Sequence, residues 1–219
     1  MNLIQSTLVH KILPARQTSG ERSPALILLH GRGANEDDLL GLAEHLDARY
    51  VLLAARAPFD FQWSGGFTWY DILEVGRPEP AMFAESYRRL SQFFEDVKKG
   101  YPIDPSRVFF LGFSMGTMML YCMALTKPGE VAGVVANSGY IPEDTGLNFL
   151  WDRLGGTSFF IAHGVHDPVI PVQMGRRAKH LLEEAKADLV YREYPMAHEI
   201  SEDSLNDLAE WLTRKLDKA

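Results

Sequence analysis

The residues with the most chemical potential sit at three separate points of the chain. Ser114 lies in "GFSMG" (112–116), Asp167 in "HGVHDPVIP" (163–171) and His198 in "PMAHEIS" (195–201). A serine hydroxyl is a weak nucleophile at neutral pH. It attacks a carbonyl only with a base in contact, and the base needs a further group to orient it and stabilise its charged form. Imidazole supplies the base and carboxylate the orienting group. Singly, each residue has an ordinary reading. G-x-S-x-G occurs in loops, an aspartate before proline is a common turn former or cap, and most of the seven histidines must serve structure. The set gains weight from where its members fall relative to the elements that would carry them.

"RVFFL" (107–111), rich in β-branched and aromatic residues, predicts a buried strand, and "TMMLYCMAL" (117–125) predicts a helix. Ser114 then occupies the turn between them. A sharp strand-to-helix turn strains its central residue, at a cost of about 1–3 kcal/mol, and small flanking residues let the two elements pack closely. Presentation of a nucleophile explains such strain. Further strands are predicted at "ALILLH" (25–30), "YVLLAA" (50–55), "VAGVVANS" (131–138), "SFFIAHG" (158–164) and "DLVYREY" (188–194). Helical spacing runs through "EDDLLGLAEHL" (36–46), "MFAESYRRLSQFFEDVKKG" (82–100), "MGRRAKHLLEEAKA" (174–187) and "SEDSLNDLAEWLTRKL" (201–216). "LIQSTLVHKIL" (3–13) predicts one or two edge strands, and residues 58–80 read as a loop rich in Gly, Pro and aromatics. Strands alternating with helices predict a mostly parallel sheet covered on both faces. With no repeat, low-complexity tract or linker, residues 1–219 read as a single domain.

In parallel sheets functional groups gather at the carboxyl ends of strands. Asp167 follows "SFFIAHG" and His198 follows "DLVYREY", so the order along the chain is Ser, Asp, His, as in the α/β-hydrolase arrangement. Acyl transfer also needs fixed donors for the oxyanion of the tetrahedral intermediate. One is expected at the N–H of Met115, the start of the helix after the serine, where the helix dipole favours negative charge. The other is expected in "LLHGRGAN" (28–35), at the N–H of Arg32, two residues beyond the histidine that ends a strand.

Composition narrows the class. Apolar residues at 46% and charged residues at 23% suit a soluble globular protein. A net charge of −7 offers nucleic acid or anionic lipid no attraction. No apolar run reaches membrane-spanning length, and the N-terminal stretch lacks the uninterrupted apolar core of a secretory signal. The one cysteine, Cys122, cannot form an intrachain disulfide and predicts a reducing, cytoplasmic setting. It reads as a small buried hydrophobe, and Met118, Met119 and Met123 as core, with only Met115 near the chemistry. "HGVHD" (163–167) matches no strong metal-ligand spacing, so no metal is expected.

Together, "LLHGRGANEDDL", "TWYDI", "DPSRVFFLGFSMG", "HGVHDPVIPV" and "YPMAHEIS" resemble the phospholipase/carboxylesterase family of α/β hydrolases, which includes the acyl-protein thioesterases. The resemblance runs from about Ala25 to Leu216. It implies an α/β-hydrolase fold without a large lid domain, no cofactor, and hydrolysis of carboxylic esters or thioesters. By position it makes Ser114 the nucleophile, Asp167 the acid and His198 the base, with Arg32 and Met115 as the oxyanion-hole backbones. Many members carry Gln-Gly-Gly after the nucleophile, where this chain has Met115, Gly116 and Thr117; most carry an aliphatic residue in place of Arg32. Both oxyanion donors are main-chain groups, so those departures bear on substrate preference rather than catalysis. Trp63, Phe67, Trp69 and Tyr70, in the aromatic stretch that the resemblance brings near the active site, are candidate substrate contacts; the alternative is that these aromatics anchor a long loop to the domain.

The expected function is therefore that of a serine hydrolase acting on a small ester or thioester through an acyl-enzyme. Two alternatives stay open on the sequence: a non-catalytic protein holding a small ligand on the same scaffold, and a peptidase or C–C bond hydrolase. An exposed apolar rim near the aromatic stretch would permit a homodimer.

Overall fold

The computed structural model describes residues 2–218 apart from Ser19, Trp63, Ser64 and Val75. Its strands, in chain order, are β1 (His10–Leu13), β2 (Ser23–Leu29), β3 (Val51–Ala55), β4 (Phe59–Phe61), β5 (Gly66–Thr68), β6 (Ile72–Glu74), β7 (Arg77–Pro78), β8 (Ile103–Phe113), β9 (Gly133–Asn137), β10 (Ser158–Gly164) and β11 (Asp188–Tyr194). The helices are α1 (Pro80–Gly100), α2 (Met115–Thr126), α3 (Val172–Glu184) and α4 (Glu202–Leu216). Among the described residues seven strands form one sheet in the order β1-β3-β2-β8-β9-β10-β11. Only β1 runs antiparallel, against β3; the other pairs are parallel. The fold is that of an α/β hydrolase, with helices on both faces and no large lid. No helix among the described residues is long and apolar enough to cross a membrane.

Strand β3 and the Ala25–Leu29 run of β2 are apolar throughout because both of their faces are covered. On β2, Ala25, Ile27 and Leu29 face one core while Leu26 and Leu28 face the other. The same period-2 alternation divides Phe159 and Ile161 from Phe160 and Ala162 on β10. Helices α1, α2 and α3 lie in the first core, and α4 closes the second with Leu205, Leu208, Trp211 and Leu212. Helix α2 is buried from Met115 to Leu125, which accounts for its apolar residues on every side. Cys122 is fully buried there, and burial pushes its thiol well above the ordinary range.

Local chemistry sets the helix starts. Glu79 caps α1 by accepting from the Ala81 and Met82 N–H groups, with Pro80 in the first turn. Ser201 caps α4, with Glu202 and Asp203 in its first turn and Arg214 and Lys215 in its last, the distribution the helix dipole favours.

Two elements differ from expectation. Residues 36–46 form a 3-10 helix at Leu39–His45 rather than a full helix. Gly41 weakens an α-helix there, and Leu39 is the one buried residue of the 3-10 helix itself. Residues 3–13 contribute a single edge strand, β1, within the one or two expected. The 58–80 loop folds into two short antiparallel hairpins, β4/β5 and β6/β7, turned at Gly65 and Gly76, both with positive φ.

Helix α2 starts almost in contact with the end of β2. A Cβ at Gly116 would overlap the Leu29 carbonyl, and one at Gly112 would lie 2.7 Å from the Thr117 nitrogen. Both glycines of "GFSMG" are thus set by backbone proximity. Gly116→Ala is expected to lower stability by about 1–3 kcal/mol, because the obstruction is main chain and cannot swing away. Gly41→Ala, where a Cβ meets nothing within 4 Å, should leave stability level or slightly raised. Urea midpoints of the two variants test this, and equal midpoints would refute it.

Candidate active site

Ser114 occupies the junction of β8 and α2 with φ 53° and ψ −119°, a conformation disfavoured for any residue that carries a Cβ. Neighbouring groups over-determine it. The Ser114 N–H donates to the Asn137 carbonyl (3.0 Å), the Thr117 hydroxyl donates to the same oxygen (2.8 Å), and Asn137 Nδ2 donates to the Gly112 carbonyl (3.0 Å). Asn137 ends β9 and is fully buried. It ties the junction to the neighbouring strand.

Asp167 follows β10 and His198 follows β11. The pairing of those two strands continues past their ends: the Val165 N–H donates to the Tyr194 carbonyl (2.9 Å) and the His166 N–H to the Met196 carbonyl (3.2 Å). A Cβ at Gly164 would overlap the carbonyls of Met196 and Ala197, so the two loops lie nearly backbone to backbone. Asp167 Oδ1 accepts from the N–H groups of Val169 and Ile170, both at 2.8 Å. Its Oδ2 lies 2.7 Å from His198 Nδ1, and His198 Nε2 lies 2.9 Å from Ser114 Oγ. Because an ionised carboxylate only accepts, the network assigns the imidazole proton to Nδ1 and leaves the Nε2 lone pair facing the hydroxyl. The Phe113 ring packs on the imidazole with centroids 4.9 Å apart. The three residues picked from the sequence thus meet in one hydrogen-bonded chain.

The N–H groups expected to hold an oxyanion are those of Arg32 and Met115. Among the described residues neither the Arg32 nor the Met115 N–H finds an acceptor. Met115 opens α2, where unsatisfied N–H groups and the helix dipole both favour an anion. The Arg32 peptide is oriented by His30. The Ala57 N–H donates to His30 Nε2 (3.0 Å), which leaves Nδ1–H to donate to the Gly31 carbonyl (2.7 Å). In a trans peptide the carbonyl and N–H point opposite ways, so holding the Gly31 oxygen on the imidazole turns the Arg32 N–H away from it. The Gly31 position faces Ser114: a Cβ there would lie 3.4 Å from the serine Cβ. Beyond it, the Gly33 N–H donates to the Phe67 carbonyl and the Phe67 N–H to the Ala34 carbonyl, both at 2.8 Å, so β5 holds the loop. Arg56 closes on the buried Glu36 at 2.5 and 2.6 Å, and that pairing holds the Glu36 carboxyl below its ordinary range. Neither the His30 brace nor Asn137 was singled out from sequence; their positions at the ends of β2 and β9 were the available signal.

A cavity of about 140 Å³ opens beside Ser114. Met115, Met118, Tyr140 and Ile170 form its inner wall, and Arg32, Ile72 and Val169 its lip. The lip continues into exposed apolar residues: Leu73, beside Ile72, is 54% exposed and Val169 60%. Met118 therefore joins Met115 near the chemistry, in contrast to the expectation that it served only the core. Of the candidate substrate contacts, Trp63 lies outside the described residues. Phe67, Trp69 and Tyr70 stand behind the cavity wall instead of forming it. Trp69 is fully buried with its indole N–H on the His30 carbonyl (3.0 Å), the Tyr70 hydroxyl donates to Met118 Sδ (3.0 Å), and Phe67 lies under the Arg56 guanidinium. Their aromatic character suits anchoring the hairpins. A larger hollow of about 260 Å³ near Leu13, Arg16 and Tyr50 contains no nucleophile.

The sheet topology and the serine on its strand-to-helix turn define an α/β hydrolase. The family model described as Phospholipase/Carboxylesterase matches residues 13–216, and the chain belongs to that family. It is similar to acyl-protein thioesterase 1 of Saccharomyces cerevisiae, with 29% identity over 232 residues covering 94% of this chain and 96% of that protein. It is also similar to a Bacillus cereus carboxylesterase of known structure, with 26% identity, a TM-score of 0.84, and coverage of 95% of this chain and 94% of that one. A Mesorhizobium loti carboxylesterase, 23% identical over 96% of this chain and 97% of its own, shares the fold with a TM-score of 0.84. The protein is a hydrolase of the carboxylesterase/thioesterase kind.

Two predictions concern stability. His30 and His163 are both buried, and burial lowers the pKa of each from the ordinary 6.5. Above that value the folded and unfolded chains are both neutral at these sites and their full contribution is present. As pH falls below it, the unfolded chain takes up protons that the folded one refuses, so stability drops by up to about 1.4 kcal/mol per pH unit for each histidine. Urea midpoints at pH 7.0 and 5.5 should differ accordingly, and a flat profile would refute it. Separately, Ser114→Gly should be about 1 kcal/mol more stable than Ser114→Ala, since glycine relieves the positive φ. Equal melting temperatures would mean that no strain is stored at this turn.

Proposed function

We propose that the protein hydrolyses small carboxylic esters or thioesters through an acyl-enzyme, with Ser114 as nucleophile, His198 as base and Asp167 as the group that orients it. The observation that carries this reading is the continuous chain from Asp167 Oδ2 through His198 to Ser114 Oγ, at 2.7 and 2.9 Å. His198 Nε2 takes the serine proton as Oγ attacks the carbonyl. The N–H groups of Arg32 and Met115 hold the developing oxyanion; each such donor typically lowers the barrier by about 2.7–4 kcal/mol. Asp167, anchored by two backbone N–H groups, stabilises the imidazolium, which then protonates the leaving alcohol or thiol. Water repeats the sequence on the acyl-enzyme.

A protein that merely held a ligand would have no use for a serine kept at positive φ and aligned with an imidazole. The apolar wall of Met115, Met118, Tyr140 and Ile170 supports an acyl group as its occupant, and the volume of about 140 Å³ supports a short one. The similarity to acyl-protein thioesterase 1 supports thioesters alongside oxygen esters. We read residues 1–219 as one catalytic domain working in the cytoplasm, a setting consistent with a single, fully buried cysteine.

Nitrophenyl esters from acetyl to decanoyl should be turned over with kcat/KM highest for chains of about two to six carbons. Ser114→Ala should lose activity by more than about 10⁴-fold while remaining folded. An active alanine variant would remove Ser114 from the mechanism, and a decanoyl optimum would mean that the acyl chain lies along the exposed apolar lip instead of in the cavity.

A further inference from the structure

The Arg32 side chain begins at a proposed oxyanion donor and reaches the lip of the cavity that holds Ser114. It is the one charged group among the described residues of that wall; its neighbours there are Ile72, Met115, Met118, Val169 and Ile170, with the Tyr140 ring. A cation beside apolar surface needs a partner, and the partner present is weak. Arg32 Nη2 lies 3.6 Å from Asp71 Oδ1, beyond hydrogen-bond length, and the two side chains are 36% and 56% exposed. Exposed pairs of this kind are worth little.

Other arginines of the same protein are bound differently. Arg56 closes on Glu36 at 2.5 and 2.6 Å, Arg176 on Glu193 at 2.7 and 2.8 Å, and Arg177 on Glu143 at 2.9 and 3.1 Å. Each presents its fork to a carboxylate in the two-point geometry that guanidinium favours. At Arg32 the fork is open. Its flat face rests on the Phe61 ring, with the guanidinium carbon 4.5 Å from the ring centroid. Stacking uses the face of the group and leaves the in-plane N–H donors at its edge. The side chain is thus steadied at the cavity mouth with its donors unspent.

On this basis we infer that Arg32 selects esters or thioesters carrying a carboxylate within an arginine's reach of the scissile carbonyl, the substrate carboxylate displacing Asp71 from the guanidinium. The inference rests on the proposed hydrolase reading and gives its substrate class. The carboxylate belongs to the acyl part or to the leaving alcohol, and the test separates the two.

Wild type, Arg32→Leu, Arg32→Lys and Asp71→Asn are assayed by pH-stat on two matched pairs. Monoethyl glutarate against ethyl pentanoate places the carboxylate on the acyl side; 4-acetoxybutyrate against butyl acetate places it on the alcohol side. The readout is the ratio of kcat/KM, charged over neutral, so a loss common to both esters cancels. For at least one pair the ratio should fall about 10- to 100-fold in Arg32→Leu, the worth of a charge-assisted hydrogen bond. It should fall less in Arg32→Lys, which keeps the charge without the fork, and rise in Asp71→Asn, which removes the competitor. Ratios unchanged by all three substitutions overturn the inference and reduce Arg32 to a packing partner of Phe61. Turnover of nitrophenyl esters with none of the four test esters cleaved overturns it alone. A wild-type protein inert to the nitrophenyl esters as well removes the hydrolase reading beneath it.

Discussion

The positive φ of Ser114 is the constraint around which the centre of the molecule is arranged. A chain leaving a buried strand can enter a helix abruptly only by way of such a conformation, and the crossing brings α2 against the ends of β2 and β8. The backbone there leaves no space for a Cβ at Gly116 and little at Gly112. The strain is held by Asn137, whose carbonyl takes both the Ser114 N–H and the Thr117 hydroxyl while its amide reaches the Gly112 carbonyl. The same geometry that is costly for folding puts the Ser114 Cβ beside the Gly31 backbone and starts α2 at the next residue. Stability and site therefore share their atoms.

Around this turn the protein uses buried neutral histidines as fixed struts. His30 accepts from the Ala57 N–H and donates to the Gly31 carbonyl, so it sets a peptide orientation without bringing a charge near the candidate oxyanion site. His163 donates Nε2–H to the Ile170 carbonyl (2.8 Å), with Nε2 3.7 Å from Asp167 Oδ2. It thereby shapes the loop that presents the aspartate. A Cβ at Gly175 would lie 2.6 Å from its other ring nitrogen, so α3 closes tightly over the ring. In both cases burial disfavours the charged form, and the carbonyl to which each ring donates selects its tautomer.

Much of this was legible in the sequence because it follows from periodicity and strand ends. Strands β10 and β11 span the segments expected of them, 158–164 and 188–194, and Ser114, Asp167 and His198 follow from the rule that parallel sheets present function at carboxyl ends. What escaped depended on contacts between distant segments. The hairpins of residues 58–80 are stabilised by pairing with Gly33 and Ala34 and by Trp69 reaching the His30 carbonyl, and no local pattern encodes those partners. Aromatic residues there fitted a substrate pocket and a loop anchor equally well on the sequence, and the contacts of Trp69 and Tyr70 are those of anchors. The actual cavity wall draws on Met118, Tyr140 and Ile170, which read locally as ordinary core residues or post-strand residues. The roles of His30 and Asn137 depended on tautomer and amide geometry, which composition does not carry.

The arrangement of strands also distributes mechanical risk unevenly along the hydrogen-bonded chain. Ser114 belongs to the centre of the sheet, while His198 hangs from its outermost strand, β11, which is paired on one side only. Its loop is stitched to that of Asp167 by main-chain bonds and by the close approach at Gly164. Imidazole and carboxylate therefore ride on one rim of the molecule as a joined latch.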